Sequence, residues 1–256
     1  MSIHPTAIIS PKAEIGADID IGAYCVVGDH VKLGNGCRLM HHVSIEGCTV
    51  IGSGNLFHPF STIGGKTQDL KYEGEPTWLE IGDHNEFREF TSVNRGTGVG
   101  EKTVIGSGNL FLTYSHVAHN CAVGNHCILS NNGTLGGHVV VEDHVIVSGL
   151  AAVHQFCRVG QHSMIGGCTK IVQDVPPYFI ADGNPATVRA VNSVGLQRRG
   201  FTDEQISIIR RARRSLYDEN LNTTQALALL EEELGTHPEV QILITFVRNS
   251  QRGIIR

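Results

Sequence analysis

An aliphatic or phenylalanine side chain returns every six residues along most of this chain. The marks are Ile3, Ile9, Ile15, Ile21, Val27, Leu33, Leu39, Ile45, Ile51, Phe57 and Ile63, then Ile81, Phe87 and Val93, then Ile105 and Phe111. From Val117 the series runs without a slip through Val123, Leu129, Leu135, Val141, Val147, Val153 and Val159 to Ile171. Glycine often follows the mark, as in Ile15-Gly16, Ile21-Gly22 and Leu33-Gly34. Six is neither the helical period of about 3.6 nor the period of about 2 of a lone strand. It is the period of a chain that makes a short strand, turns, and repeats. Three hexads close one triangular coil of 18 residues with the marks pointing inward, which is the hexapeptide parallel β-helix.

The period breaks twice. Gly64 to Trp78 is polar, charged and off-register, and a second irregular stretch covers 95–102. Loops ejected from a solenoid are free to serve binding, and the first gathers Gln68, Asp69 and Lys71. Pro176-Pro177 ends the β-helix, and Asp182-Gly183-Asn184-Pro185 marks a turn. The remainder reads as helical. Thr202 to Gln205 has the form of a capping box, Thr223 or Thr224 starts a second helix, and Pro238 sits in the first turn of a third. The expected organisation is therefore a mainly β chain: a parallel β-helix over 1–191 and a C-terminal α-helical domain over 192–256.

Composition narrows the partners. A formal charge of −5 over 256 residues argues against general nucleic-acid binding. No apolar run approaches the roughly 18 residues of a membrane span. The N-terminus MSIHPTAIIS lacks a basic region followed by an apolar one, so no secretion signal is expected. The seven cysteines are odd in number and form no CxxC. Cys25, Cys37, Cys121, Cys127 and Cys157 share the fifth place of a hexad, as small buried groups of a reducing, cytoplasmic protein would.

Residues 18 apart lie above one another, at about 4.8 Å per coil. His119, Gly137 and Gln155 form one column, and Asn120, His138 and Phe156 the next. His116 and His154 lie close by on the same flank. Three readings compete for these histidines. They can be polar turn residues. They can hold a metal, since neutral imidazole is a common ligand, although no acidic co-ligand accompanies them. The favoured reading is acid–base catalysis, because an imidazole takes a proton from a sugar hydroxyl near neutral pH. Gly137, lacking a side chain, can bring its backbone N–H close to a reacting carbonyl.

Several motifs resemble the UDP-N-acetylglucosamine O-acyltransferase family, which begins lipid A biosynthesis. They are QDLKYEGEPT at Gln68 to Thr77, HVAHNC at His116 to Cys121, GGHV at Gly136 to Val139 and VHQFCRVG at Val153 to Gly160. IGGC at Ile165 to Cys168, QDVPPY at Gln173 to Tyr178, VNSVGLQRRGF at Val191 to Phe201 and the terminal RGIIR complete the set, so the resemblance covers essentially the whole chain. It implies the left-handed winding, an exception to the usual right-handed crossover. It implies transfer of a 3-hydroxyacyl chain from acyl carrier protein to the glucosamine 3-hydroxyl, without a cofactor. His119 would be the general base and the Gly137 N–H the oxyanion donor. Gln68, Asp69 and Lys71 would contact the sugar nucleotide or orient the donor, and His116, His138, His154 and Gln155 would line the cleft. Asn192, Arg198 and Arg199 would hold uridine and phosphates, and Met164 and Gly167 would border the acyl channel. A homotrimer with sites between subunits is implied too. The basic run Arg210, Arg211, Arg213 and Arg214 is a candidate contact for the acidic carrier protein, or a solvated helix face.

Three residues depart from the family pattern. Asn120 stands where an aspartate often follows the base, Asn94 replaces the histidine of HRGT, and Val194 replaces a glutamate before the GLxRRG motif. An amide cannot supply negative charge to an imidazolium. Two further functions therefore stay open: N-acylation of a UDP 3-amino sugar, whose amine needs less help from a base, and a catalytically silent β-helix that binds acyl carrier protein or a sugar nucleotide. The sister N-acyltransferase usually carries an additional N-terminal uridine-binding domain, whereas these hexads begin at Ile3.

Overall fold

The computed structural model describes residues 2–218 and 220–256. Two-residue strands alternate with tight corners, and each strand pairs in parallel with the strand 18 residues on, as Ser2 with Asp20 and Thr134 with Ala152. The result is a left-handed parallel β-helix with three flat faces. The first face runs from Ser2–Ile3 to Met164–Ile165, the second from Ile8–Ile9 to Lys170–Ile171 and the third from Glu14–Ile15 to Arg158–Val159. Across the two insertions the pairing offset grows to 30 residues (Cys48 opposite Trp78) and then to 24 (Trp78 opposite Lys102). These are twelve and six more than the 18 of an uninterrupted coil. The winding resumes in register, so the loops leave the prism without bending it.

The hexad marks fill the core, because each branched side chain occupies one inward corner of the pleat. Every mark from Ile21 to Ile171 is buried. Ile3 of the first coil stays 43% exposed, since no coil lies beneath it. Phe57, Phe87 and Phe111 stack inside the prism with centroids 5.0 and 4.7 Å apart. At the fifth place of the hexad the buried amides of Asn55, Asn85 and Asn109 form a ladder, each Oδ1 accepting from the backbone N–H of the next coil. Cysteines take the same place elsewhere, and burial pushes the Cys127 thiol up to about 12.

The fourth place of the hexad has positive φ in coil after coil, at Tyr24, His42, Phe60, Asn120, His138, Leu150 and Phe156 among others. None of the non-glycine residues there is β-branched, as sterics require. A shared left-handed conformation projects these side chains outward from the prism edges in columns. Many of the chain's histidines, including His42, His126, His144 and His162, are corner residues of this kind.

Beyond Pro177 the chain forms an antiparallel hairpin, Phe179–Gly183 with Ala186–Val191. Its first strand joins the first face beside Met164–Ile165. The six-residue period gives no sign of this hairpin, whose strands are longer and obey no such repeat. Among the described residues four helices follow: α1 (Ser193–Arg198), α2 (Asp203–Leu216), α3 (Thr223–Leu234) and α4 (Pro238–Arg248). Thr202 and Asn222 close capping boxes with Gln205 and Gln225. The chain end returns to the prism, where the Ile255 N–H donates to the carbonyl of Asp174 and Ile254 and Ile255 are buried. No helix among the described residues is long and apolar enough to cross a membrane.

Candidate active site

The edge between the second and third faces carries the densest chemistry. Its corners place His119, Gly137 and Gln155 above one another, and the first inserted loop folds over them. Gln68, Asp69, Leu70 and Lys71 from the loop, with Ala118, His119, His138, Gln155 and Phe156 from the edge, line a cleft of about 590 Å³. That size suits a ligand larger than a single sugar.

The two insertions hold each other in place. Thr97 Oγ1 donates to Thr67 Oγ1 at 2.7 Å, and the Gly98 N–H donates to Glu75 Oε1 at 2.8 Å. Arg95 donates to the Gly64 carbonyl and, at 3.1 Å, to the Tyr72 hydroxyl. Asp69 Oδ1 accepts from the Lys71 N–H at 3.0 Å, which leaves Oδ2 facing His119 Nε2 at 3.8 Å.

His119 is tightly specified. Its Nδ1 lies 2.9 Å from Asn120 Oδ1, which also accepts from the Thr97 N–H at 2.8 Å. An amide oxygen only accepts, so Nδ1 carries the proton and Nε2 is the free acceptor. Nε2 lies on the Asp69 side, at the cleft. A Cβ at Gly137 would fall 2.5 Å from Nε2, so only glycine leaves the ring its place. No described residue accepts a hydrogen bond from the Gly137 N–H. His138 meets His119 edge-on at 5.2 Å and stacks on Phe156 at 4.6 Å. Burial, then the charge of His119, lowers the pKa of His138, while Asp69 and Glu101 oppose the shift.

Other expected site residues lie elsewhere on the chain. His116 sits on the second face with Nδ1 2.7 Å from Ser92 Oγ, and burial, then His119, lowers its pKa. His154 is exposed, its Nδ1 donating to its neighbour's carbonyl. Neither lines the cleft: His116 lies in the flat second face, and His154 is turned to the carbonyl of Gln155. Asn192 caps α1 and donates to the His162 carbonyl on the third–first edge. Arg199 donates to His144 Nδ1 at 2.6 Å on that same edge, and Arg198 is exposed beside it. Met164 belongs to the first face and Gly167 to the first–second edge. One chain therefore distributes the expected nucleotide and acyl contacts over edges that do not meet at His119. Of the basic run, Arg213 is committed to the carbonyls of Val188 and Arg189 and Arg210 to Ser193 Oγ, which leaves Arg211 and Arg214 exposed.

Leu70 and Phe156 line the cleft without having been singled out for it, and the 18-residue column that holds His138 already contained the signal for Phe156. No sequence signal marked Thr97 and Glu101, because their approach to Asn120 depends on the folded path of the second insertion.

Comparison with known proteins identifies the family. Residues 174–255 match the model of UDP N-acetylglucosamine O-acyltransferase domain 2, and residues 30–65 match the bacterial transferase hexapeptide model. The LpxA structure from Acinetobacter baumannii superposes with a TM-score of 0.95 at 44% identity, over 99% of each chain. The UDP-N-acetylglucosamine O-acyltransferase of Moraxella catarrhalis does so with a TM-score of 0.95 at 42% identity, over 100% of each. The acyl-[acyl-carrier-protein]–UDP-N-acetylglucosamine O-acyltransferase of Thermodesulfovibrio yellowstonii is 48% identical over 255 residues, 99% of both sequences. With relatives this similar matched from end to end, and with the hexad prism and its histidine edge in place, the chain belongs to the UDP-N-acetylglucosamine O-acyltransferase family.

Proposed function

We propose that the protein transfers a 3-hydroxyacyl chain from acyl carrier protein to the 3-hydroxyl of UDP-N-acetylglucosamine, with His119 as general base. The observation that carries the mechanism is the fixed tautomer of His119, which leaves Nε2 unprotonated at the cleft. The sugar hydroxyl gives its proton to Nε2 as its oxygen attacks the thioester carbonyl carbon. The Gly137 N–H, uncommitted among the described residues, donates to the tetrahedral oxyanion. Collapse breaks the carbon–sulfur bond, and the imidazolium returns the proton to the leaving thiolate. The thioester is already activated, so no covalent enzyme intermediate and no cofactor is needed. Burial holds the nearby Cys121 thiol at about 12, far from the thiolate a cysteine nucleophile requires.

Gln68, Asp69 and Lys71 bind the sugar nucleotide or the donor in this reading, with His138 and Gln155 on the opposite wall. Asn192, Arg198 and Arg199 hold the nucleotide, and Met164 and Gly167 border the acyl chain. Their separation on one prism supports a homotrimer in which a neighbouring copy completes each cleft. The exposed column Tyr24, His42, Phe60, Phe90 and Tyr114, with successive rings about 5 Å apart, supplies an aromatic stripe for such a contact. Arg211 and Arg214 remain available to the acidic carrier protein. The free cysteines fit a cytoplasmic setting.

The test is acyl transfer from a panel of 3-hydroxyacyl carrier proteins to UDP-N-acetylglucosamine, run beside His119→Ala. Product from the native chain and a loss of about a hundredfold or more in the variant is expected. An unimpaired variant removes His119 from the mechanism. Because Asn120 puts an amide next to the base, the UDP 3-amino sugar belongs in the same assay, and preference for it would assign N-acylation instead.

A further inference from the structure

The second insertion brings a carboxylate to the far side of Asn120. The Asn120 amide nitrogen donates to the Thr97 carbonyl at 3.2 Å and to Glu101 Oε2 at 3.4 Å. The Thr97 N–H, donating to Asn120 Oδ1, fixes the amide the right way round. A single direction of donation therefore runs from His119 Nδ1–H to the amide oxygen, and from the amide N–H to Glu101. Such a row polarises itself: an amide whose N–H meets a carboxylate has a more electron-rich oxygen. Glu101 is held for this contact. Its N–H donates to the Gly98 carbonyl and its own carbonyl accepts from the Trp78 N–H, both at 3.0 Å. Gly98, at φ 97°, has no side chain to obstruct the Glu101 Cγ, which would lie 3.2 Å from a Cβ there.

The charged and titratable groups around His119 are Asp69 and Lys71 from the first insertion, Glu101 from the second, His116 on its own coil and His138 on the next coil. Asp69 approaches Nε2, the nitrogen that must accept a proton, so it cannot fix the tautomer. Among the described residues only Glu101 places a charge behind Nδ1, through the amide.

We propose that Glu101 is a positioning residue for the transfer reaction, acting through Asn120 to hold His119 in its Nδ1–H form and to stabilise the imidazolium as it forms. The proposal rests on the reading of His119 as general base. It supplies, one residue further out, the negative charge that an aspartate at position 120 would place directly on the ring.

The experiment measures kcat, KM and the pH profile for Glu101→Gln, in the native chain and in Asn120→Asp. In the native chain E101Q lowers kcat about two- to fivefold, the range a partly exposed charge allows, with KM unchanged. The acid limb of kcat/KM against pH moves to lower pH, because the imidazolium loses a stabilising charge. In N120D an aspartate faces Glu101 with no donor between them, so E101Q there raises kcat. A native-chain kcat and pH profile that ignore E101Q, or equal losses in both backgrounds, overturn the proposal. His119→Ala in the same assay separates the two levels: an active H119A overturns the base itself, whereas an inert H119A beside a silent E101Q overturns only the role of Glu101.

Discussion

His119 Nε2 occupies space that any side chain at Gly137 would claim, the two being separated by one coil and 2.5 Å at the notional Cβ. Gly137 is thus a steric requirement of the imidazole above and beyond its N–H. Gly137→Ala should fold normally, since the clash is with a side chain at an open cleft. Its kcat should fall about a hundredfold, the cost of displacing a reacting group by about 1 Å. Steady-state kinetics beside a thermal melt decide this, and a full-rate G137A would mean the ring has room to move.

Arg199 is tied to the third–first edge by its bond to His144 Nδ1. A guanidinium only donates, so that nitrogen must be unprotonated, and burial followed by the charge of Arg199 lowers the His144 pKa accordingly. Arg199→Ala is expected to raise KM for the sugar nucleotide about tenfold, the value of one charged phosphate contact of about 1.4 kcal/mol, with kcat nearly unchanged. His144→Leu, which keeps the guanidinium but frees it, should give a smaller rise. Unaltered KM in R199A would take this edge out of nucleotide binding.

Gly167 has room to grow. A Cβ there would meet only the Gly149 carbonyl at 3.4 Å, an ordinary contact. Gly167→Met should therefore fold and shift donor preference toward shorter acyl chains. Competition between carrier proteins bearing different chains reads this directly, and an unchanged preference would separate Gly167 from the acyl path.

His162 stacks between His144 at 4.7 Å and Tyr178 at 6.0 Å. Burial, then the charges of His144 and Arg199, pushes its pKa down to about 4. An unfolded histidine titrates near 6.5, so between these values the unfolded chain binds more protons than the folded one. The stabilising contribution is complete above about pH 6.5 and is lost as pH falls toward about 4. His162→Gln should flatten the fall in denaturant-measured stability between about pH 7 and pH 4.5 by about 1 kcal/mol, a value discounted for partial exposure. An identical fall in the variant would place the acid sensitivity elsewhere.

The columns His119–Gly137–Gln155 and His138–Phe156 were legible in the sequence because the hexad period never slips between Ile105 and Ile171. A constant 18-residue coil converts sequence separation into position. What period cannot give is the path of the inserted loops. Asp69 faces His119 because Thr67 meets Thr97 and Tyr72 meets Arg95, contacts between residues 30 and 23 apart. The left-handed corners were hidden as well. Histidine, phenylalanine and tyrosine occupy many of them, so the glycines and asparagines at Gly36, Gly54, Gly108, Asn120 and Asn132 did not announce a conformation shared by every coil. The hairpin from Phe179 to Val191 escaped because two strands of ordinary pleat carry no hexad signal.

The spread of His119 and Arg199 over different edges of one prism has a genetic counterpart. A chain inactivated at His119 keeps an intact Arg199 edge, and a chain weakened in nucleotide binding at Arg199 keeps an intact His119 edge. In the proposed trimer, a cleft shared by two such copies would receive from each the half the other has lost. Two alleles that are each defective alone would then complement when co-expressed, and at sugar-nucleotide concentrations well below KM, refolding the two purified variants together would return more turnover than the sum of the two apart.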